Sequence, residues 1–433
     1  MKRKQRSLLI IGCLLGGTLL LNGCGDDVEA LVPEAGFIYV EAEGVGDGQQ
    51  SGTPATEPPY GAVEAEPVNT ETPDGAVEAE PVSTETPNGA VEAEPVETQT
   101  PAATPKPTEA PESDLVTITI SAAGDCSLGN HREQEYNCSF VQAYDKEGGA
   151  EYFLRNVKDI FAADDLTIVN LEGVLTTSNE AQAGRTYNIK GDPSYAKILT
   201  EGSVEMVSMG NNHRLDYGLG GTADTEDALE AEGIQYAYDN NVAVYETKGI
   251  RIGFISVNEV AWGLGTETLV KEGIEKLQSL EEAPHMIVVA CHWGIEKDNQ
   301  PEAYQLELGK KCIDMGADLV LGHHPHVLQG IEEYKGKLIV HSLGNFSFGA
   351  NRNPADKDTM IFQQTFTFVD GVKQEDMVAK VIPCTVSTIS HRNNFQPTPL
   401  EGEDAERVIG RLNAYSADLG VAIAEDGSVQ VAE

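Results

Sequence analysis

The sequence predicts an α/β domain that begins at residue 114 and has a core of largely parallel strands. Short apolar runs that end in polar clusters alternate with longer segments of helical periodicity, which is the pattern of parallel β-α units. Two later apolar runs, residues 360–369 and 377–388, are separated by only a turn, which indicates an antiparallel pair. A domain of roughly 270 residues is large enough to bury a substantial apolar core.

The predicted domain spans residues 114–392 and is followed by a C-terminal extension, residues 393–433. An amphipathic pattern around residues 403–419 predicts one helix in this extension. Helices are also predicted at 223–232 and 301–315, and strands are predicted at 115–122, 166–171, 204–209, 252–257, 286–290, 319–321 and 338–342.

The first 24 residues have the composition of a secretory signal peptide. Basic residues at positions 2, 3, 4 and 6 precede the apolar run 8–21, which is too short for a comfortable transmembrane helix. The run ends in Leu21-Asn22-Gly23-Cys24, which resembles the lipobox of bacterial lipoproteins. We therefore expect Cys24 to be lipidated and to anchor the chain to the outside of the bacterial cell membrane. An uncleaved signal anchor is the alternative.

Residues 25–113 are predicted to form a disordered acidic tether, because they are rich in Glu, Pro and Thr and lack apolar periodicity. Three tandem 14-residue repeats within it, residues 59–100, each contain Gly-Ala-Val-Glu-Ala-Glu-Pro-Val and are too short to build a solenoid. We expect a spacer that holds the domain away from the membrane. A ligand-binding repeat is the alternative.

The chain is strongly acidic, with a formal net charge of −41. This charge repels nucleic acid, which is therefore not an expected partner. The tether holds 20 of the 70 acidic residues, so the rest of the chain from residue 114 keeps 50 acidic residues against 24 basic ones, a net charge of −26. An anionic polymer would be repelled by such a domain except at a local cationic site.

The cysteines of the predicted domain have no metal-type Cys-x-x-Cys spacing. A disulfide between Cys126 and Cys138 is left open. Buried free thiols are expected for the others, which are Cys291, Cys312 and Cys384.

Polar residues of the metal-ligand type follow the predicted strands. Asn170 and Glu172 are two residues apart, so on an extended chain both side chains point to the same face. Because the carboxyl ends of parallel strands form one edge of a sheet, residues that follow them are expected to meet in one crevice. The candidates, in chain order, are Asp125, Asn170, Glu172, Asn212, His213, Asp216, His292, His323, His324, His326 and Asn345.

This set combines imidazole nitrogens with carboxylate and amide oxygens, which suits a divalent transition metal such as Mn, Zn or Fe. Two ions about 3.5–4 Å apart, bridged by one carboxylate, can activate water and clamp an oxyanion. An uncoordinated histidine can then protonate the leaving group. Each residue alone has a structural explanation, such as a cap for Asp125 or a core role for His292. The joint pattern predicts one or two metal ions.

The motifs resemble the CapA type of poly-γ-glutamate (capsule) biosynthesis protein, a branch of the calcineurin-like metallophosphoesterases. The similarity runs from about residue 116 to about residue 348. Its most specific segments are His-Trp-Gly at 292–294, Gly-His-His-Pro-His at 322–326 and Ser-Leu-Gly-Asn-Phe at 342–346. The resemblance implies a metallophosphatase-like four-layer α/β/β/α sandwich. The metal ligands that it implies are Asp125, Glu172, Asn212, His292, His324 and His326.

The resemblance places Asp125 at the first metal and Glu172 between the two metals. It makes His213 the general acid, and Asp216 is a further catalytic candidate. One departure is Ser127, which stands where the family's phosphoesterases have a histidine ligand. The missing ligand would leave one metal site weaker or filled by His323. Further residues expected in the site are Asn170 and Asn345.

Two functions remain open at this point. The first is a cell-surface hydrolase that acts on an anionic surface polymer or a small phosphoester. The second is a non-catalytic accessory protein, in which the metal orders a crevice that binds polymer beside a capsule synthase or export complex. A surface scaffold with an inherited but empty site is a third reading, against which the intact set of candidate ligands argues.

Overall fold

The computed structural model describes residues 114–431, which belong to one compact unit. The predicted signal peptide, the lipidated Cys24, the tether and its repeats lie outside the described residues. Within residues 114–431, no helix is long and apolar enough to cross a membrane.

Two of the helices, α1 and α7, begin at side-chain caps. In α1 the Ser139 hydroxyl accepts a hydrogen bond from the Gln142 N–H at 3.1 Å, and Gly148 ends the helix with a φ of 117°. In α7 the Glu302 and Gln305 side chains form a capping box. The helices are α1 (Phe140–Glu147), α2 (Lys158–Phe161), α3 (Lys197–Glu201), α4 (Gly218–Ala231), α5 (Glu259–Trp262), α6 (Thr266–Gln278), α7 (Ala303–Met315) and α8 (Gly402–Tyr415).

Each predicted apolar run contains a strand, but further strands, many of them short, lie outside these runs. In chain order they are β1 (Leu115–Ser127), β2 (Asn130–His131), β3 (Leu166–Leu171), β4 (Val174–Leu175), β5 (Ile189–Gly191), β6 (Met206–Ser208), β7 (Gln235–Ala237), β8 (Ala243–Thr247), β9 (Ile250–Asn258), β10 (Met286–His292), β11 (Leu319–His323), β12 (Ile331–Tyr334), β13 (Lys337–Val340), β14 (Asn345–Phe348), β15 (Asp358–Val369), β16 (Val372–Lys373), β17 (Val378–Thr385), β18 (Thr398–Pro399), β19 (Val421–Ile423) and β20 (Val429–Val431).

Two large sheets organise the domain. The first has nine strands in the order β18-β17-β15-β1-β3-β6-β7, with β14 beside β1 and β16 beside β15. Its β1, β3, β6 and β7 are parallel, whereas β15 and β17 form the predicted antiparallel pair. The second sheet has six strands in the order β12-β13-β11-β10-β9-β8, of which β9, β10, β11 and β13 are parallel.

Alternating side chains of the strands bury both faces of each sheet. Ile168 of β3 and Val288 of β10 lie in one apolar cluster between the two sheets. Their neighbours in sequence point the opposite way: Val169 packs with α1, α3 and α4 residues, and Val289 packs with α6 and α7 residues. The layers are therefore helices, sheet, sheet and helices, and the carboxyl ends of the parallel strands of both sheets reach the same region.

Two expectations are changed by the structure. The C-terminal helix ends at Tyr415 rather than near residue 419, and a two-stranded sheet, β19 and β20, follows it. The helix stops because the Ser416 hydroxyl accepts a hydrogen bond from the Ile331 N–H at 2.9 Å, which ties the chain to β12. Cys126 is a buried free thiol, so the disulfide with Cys138 is not formed.

Candidate metal centre

Asp125 is positioned by the close approach of β1 to the loop that precedes β14. Its N–H donates to the Gly344 carbonyl at 2.8 Å, and it pairs with Asn345 in the register of β1 and β14. A Cβ atom on Gly124 would lie 1.9 Å from the Gly344 oxygen, so only glycine fits at this position. Asp125 is fully buried, and its carboxylate faces the centre of the strand ends.

Asn170 lies near the end of β3 and Glu172 directly follows the strand; both face the centre, as the two-residue spacing predicts. The Asn170 amide donates to Asp125 Oδ1 at 2.8 Å and accepts from Asn211 Nδ2 at 3.0 Å, so Asn170 positions Asp125. Glu172 is fully buried, and neither of its carboxylate oxygens has a hydrogen-bond donor among the described residues. Burying such a carboxylate is costly unless a cation or a donor compensates it.

His292 ends β10 in the second sheet and reaches across to the first. Its Nε2 lies 3.0 Å from Asn212 Oδ1 and 3.8 Å from Glu172 Oε1. The predicted pairing of Asn212 with His292 is therefore present in the geometry. The two residues are 80 positions apart in the chain and come together because their strands end at the same edge.

The His-His-Pro-His segment turns sharply after β11. His324 and His326 have positive φ values of 97° and 58°, and residues other than glycine rarely adopt positive φ. Hydrogen bonds hold the segment, from Lys297 N to the Pro325 carbonyl at 2.7 Å and from Asn345 Nδ2 to the His326 carbonyl at 3.0 Å. Such strain is typical of sites where side-chain direction matters more than backbone preference.

His326 faces both carboxylates. Its Nδ1 lies 3.0 Å from Asp125 Oδ2, and its Nε2 lies 3.7 Å from Glu172 Oε1. His323 approaches Asp125 from another side, with Nδ1 3.3 Å from Oδ1. Ser127 is buried, and its hydroxyl has no hydrogen-bond partner among the described residues.

Three groups of side chains bring potential ligand atoms within 4.8 Å of one another. The first is Asp125, Glu172 and His326, and the second is Glu172, His292 and His324. Glu172 belongs to both, which is the arrangement expected of a bridging carboxylate. The third group joins His324 and His326 to Glu296, an exposed residue that carried no predicted role.

These residues fit a divalent transition metal. The donors are imidazole nitrogens and carboxylate oxygens at the depth where burial excludes water, and both oxygens of Glu172 lack another partner. His323 belongs to none of the three groups, although it is close enough to Asp125 to orient it.

The buried ionisable groups of the centre shift one another's pKa values. Burial raises the pKa of the Glu172 carboxyl to about 7, opposed chiefly by the charge of His326. Burial also acts to raise the pKa of Asp125, but the imidazoles of His323 and His326 hold it well below its usual range. In the absence of a cation, burial lowers the pKa of His326, yet the charge of Glu172 and contact with Asp125 raise it to about 10.

The other two imidazoles are held neutral. Burial lowers the pKa of His324 to about 4, and the charge of His326 adds to this effect. Burial likewise lowers the pKa of His292 well below its usual range, helped by the charge of His324. Neutral imidazole is the form that binds a metal, so both residues are already in that form at neutral pH.

A histidine–aspartate pair lies beside the metal-ligand groups. His213 Nδ1 is 2.7 Å from Asp216 Oδ2, and His213 Nε2 is 3.9 Å from Glu172 Oε1. Asp216 is fully buried, accepts from the Ile189 N–H at 2.6 Å and forms an ion pair with Arg185 at 3.1 Å. The carboxylate thus fixes the imidazole with Nε2 directed toward the centre.

Arg185 was not anticipated from the sequence. It lies between β4 and β5 in a loop without periodicity, and its guanidinium also donates to the Asn212 carbonyl. No sequence motif marks it, and its 27-residue separation from Asn212 could not have revealed the contact. All eleven candidates from Asp125 to Asn345 lie around this one crevice.

A family model described as "Bacterial capsule synthesis protein PGA_cap" matches residues 119–350. The chain belongs to this family. The matched segment of this PGA_cap member contains every strand-end residue of the crevice, from Asp125 to Asn345. The predicted CapA-type resemblance is confirmed.

Two curated relatives of this PGA_cap member are similar over about half of its length. They are the PGA biosynthesis protein CapA of Bacillus subtilis (strain 168), 28% identical over 53% of this chain, and the capsule biosynthesis protein CapA of Bacillus anthracis, 29% identical over 56% of this chain. The matches cover 63% and 62% of those two proteins, which is less than two thirds of each.

Among solved structures, a novel phosphatase from Mycoplasma pneumoniae is similar, with 13% sequence identity and a TM-score of 0.40. This similarity covers 65% of the PGA_cap member and 95% of the other chain. At this TM-score the similarity supports no inference about the activity of this protein.

Proposed function

We propose that the protein is a cell-surface lipoprotein of capsule or poly-γ-glutamate biosynthesis with a metal-dependent, metallophosphoesterase-like hydrolase site. The observation that carries the proposal is the position of Glu172, which is fully buried, lacks a hydrogen-bond donor and is common to two groups of ligand-type side chains. A carboxylate in that position suits two cations better than any structural role. The sequence of helix, sheet, sheet and helix layers agrees with this class of fold.

The ligand groups divide between two positions. Asp125, Glu172 and His326 would hold one divalent transition metal, and Glu172, His292 and His324 would hold a second, with Asn212 beside it. Manganese, zinc or iron would polarise an oxygen of the substrate and activate water. Ser127 supplies no imidazole to the first position, so that position has the weaker donor set.

The chain's own proton donor is His213. Asp216 accepts from its Nδ1, which leaves Nε2 directed at the centre, where it can pass a proton to a leaving group. Arg185 neutralises the buried Asp216, so the carboxylate orients the imidazole without leaving an uncompensated charge. This division of tasks favours hydrolysis of an ester or amide linkage.

The alternative is a metal-binding accessory protein without turnover, which assists polymer assembly or export. The replacement at Ser127 favours this alternative, because it removes one ligand from the first position. Under either function, the proposed lipid at Cys24 and the proposed tether place the crevice outside the cell, near a growing anionic polymer and its export complex.

Elemental analysis of the full chain, together with hydrolysis of a generic aryl phosphodiester, separates the two functions. We expect at least one transition metal per chain, and loss of both metal and hydrolysis in the double variant His324→Ala, His326→Ala. His391→Ala, an exposed histidine in the loop after β17, is the matched control and should retain both. Bound metal without hydrolysis, with capsule lost in cells that carry the double variant, would favour the accessory function. Less than one metal per chain in metal-replete medium would reject the site.

A further inference from the structure

A pocket opens directly beside the metal-ligand groups, with a volume of about 290 Å³. Asn212, which contacts His292, forms part of its wall, so the pocket and the centre share a side chain. Sites of this size bind small molecules or single units of a larger chain. Its other lining residues include Arg185, Arg214, Asp239, Asn258, Val260 and Trp262.

One wall is held in place by Asp239. Its carboxylate accepts from Arg214 Nη2 at 2.7 Å and from the Trp262 indole N–H at 3.0 Å. Trp262 is still 52% exposed, so one face of its ring is available to a ligand. The Arg214 guanidinium is also stacked over Tyr238, 4.3 Å from the ring centroid. The wall is therefore built before any ligand binds.

The wall nearest the centre carries the second guanidinium. Arg185 is fixed by the Asn212 carbonyl and by Asp216, and its side chain is 30% exposed. Each arginine thus uses part of its donor capacity inside the protein and keeps the rest for the pocket. Both guanidiniums therefore offer N–H donors to an anion within residues 114–433, a segment whose net charge is −26.

Asn258 provides an independent sign of a ligand. It is 6% exposed, lines the pocket, and its Oδ1 is buried without a hydrogen-bond partner among the described residues. The residue ends β9 and pairs with His292 in the register of β9 and β10. A buried amide left without a partner costs free energy, which a ligand N–H donor would recover.

We propose that this pocket is a substrate subsite that binds one carboxylate-bearing unit of an acidic polyamide, next to the linkage held at the centre. This inference rests on the proposed function. The Arg185 and Arg214 guanidiniums would bind the side-chain carboxylate, and Asn258 would bind the backbone amide. Trp262 and Val260 would cover the aliphatic part of the unit.

The charges of the pocket favour a carboxylate over a phosphate. The two arginines are each matched by an internal carboxylate, Asp216 or Asp239, so the formal charge of the four groups sums to zero. A monoanion can share the free guanidinium donors at small cost, whereas a dianion would meet two nearby carboxylates. The exposed indole face also suits methylene groups better than a bare phosphate.

The test is calorimetric titration of the full chain with a tetramer of γ-linked glutamate, in buffer with chelator and in buffer with Mn²⁺. Asn258→Asp, which keeps the side-chain shape and adds a repelling charge, and Arg214→Gln should each weaken binding about tenfold or more, equivalent to about 1.4 kcal/mol. Arg392→Gln is the matched control, because Arg392 lines a separate pocket near α1. The affinity of this variant for the tetramer should stay within about twofold of that of the original protein. A tetramer of γ-linked isoglutamine, in which each free α-carboxylate is replaced by a neutral carboxamide, should bind at least about tenfold more weakly.

Several results would overturn the inference. They are an absence of binding to the glutamate tetramer, equal binding of that tetramer by the Asn258→Asp variant, and equal binding of the isoglutamine tetramer by the original protein. Displacement of the tetramer by inorganic phosphate, with phosphate affinity itself lowered by Asn258→Asp, would make the pocket a phosphate site instead. His324→Ala separates the two proposals: tetramer binding in chelator that survives this variant supports the subsite even if the original protein shows no hydrolysis. Binding that is lost in His324→Ala yet unchanged in Asn258→Asp would reject the subsite and leave the metal centre standing.

Discussion

His213 and Asp216 form a pair in which Nδ1 of the imidazole lies 2.7 Å from a carboxylate oxygen that is fully buried. Because neither residue belongs to the three groups of ligand-type side chains, the pair can be altered without removing a metal ligand. The proposed proton donation can therefore be tested separately from the proposed metal binding.

Asp216→Asn tests the pair. The amide cannot hold the imidazole as the carboxylate does, so we expect hydrolysis of an aryl phosphodiester to fall about 100-fold or more, with metal content unchanged. His213→Ala should produce a similar loss, and the double variant should lose little more, because the two residues act as one unit. Additive losses in the double variant would show that they act separately.

Glu172→Gln tests the bridging position. Replacing the shared carboxylate by a neutral amide should reduce bound metal by at least one ion per chain in elemental analysis, since Glu172 belongs to both buried groups. Glu296→Gln is the matched control, because Glu296 is the exposed member of the third group, and its metal content should stay close to that of the original protein. Equal metal loss in both variants would contradict a special role for Glu172.

Gly124→Ala tests the junction that positions Asp125. The new Cβ would lie 1.9 Å from the Gly344 carbonyl oxygen, so the backbone must shift. We expect the free energy of unfolding to fall by about 1–3 kcal/mol in chemical denaturation. Gly410→Ala, on the exposed face of α8 with no atom within 4 Å of the new Cβ, should instead be neutral or stabilising by up to about 1 kcal/mol. If Gly124→Ala left the free energy of unfolding unchanged, β1 and the loop before β14 would be able to separate without cost.

Glu205→Gln tests a pH dependence of stability at the amino-terminal ends of β3 and β6, which are the ends away from the crevice. Burial raises the pKa of Glu205 to about 7, and the nearby Asp164 adds to it, while Glu205 accepts from the Thr167 N–H at 2.9 Å. The folded state therefore holds a proton that the unfolded state releases at a pH of about 4.3. Stability should fall as pH rises from about 4 to 7 and then level off.

The glutamine variant keeps the acceptor and removes the charge. Its thermal midpoint should exceed that of the original protein at pH 8, with the difference vanishing near pH 4. Glu425→Gln, at an exposed position, is the control and should show no such trend. A midpoint difference that is the same at both pH values would contradict the burial of an ionisable carboxylate.

Cys24→Ser tests the predicted lipid anchor. Without the thiol no lipid can be attached, so we expect the protein to move from the membrane fraction to the medium or to remain as an uncleaved precursor. Cell fractionation with immunoblotting measures this, and Cys13→Ser is the matched control inside the apolar run. Unchanged membrane attachment of a processed Cys24→Ser protein would reject the lipobox.

The sequence predicted the crevice well because each candidate ligand follows a buried strand. Asn170 near the end of β3, Glu172 directly after that strand and His292 at the end of β10 needed only the rule that parallel strands end at one edge. The sharp turns at His324 and His326 were not predicted, since their positive φ values are imposed by contacts from Lys297 and Asn345.

The pocket beside the centre could not be predicted from the sequence. Arg185 and Arg214 lie in loops, where neither periodicity nor spacing indicates direction. Asn258 ends a strand, as the ligands do, but a lone asparagine there is equally typical of a turn. The division of the strands into two sheets was likewise not visible in the apolar runs, because a buried strand reads the same in either sheet.

If a cation binds at the unpartnered oxygens of Glu172, the stability of the protein depends on the concentration of that cation in the medium. A cation held there is bound by the folded chain alone, since the contributing residues are scattered from Asp125 to His326 in an unfolded chain. Its binding therefore adds directly to the free energy of unfolding, by RT ln(1 + [M]/Kd). With such a cation bound, the protein would resist heat and proteases best in a medium that supplies the ion.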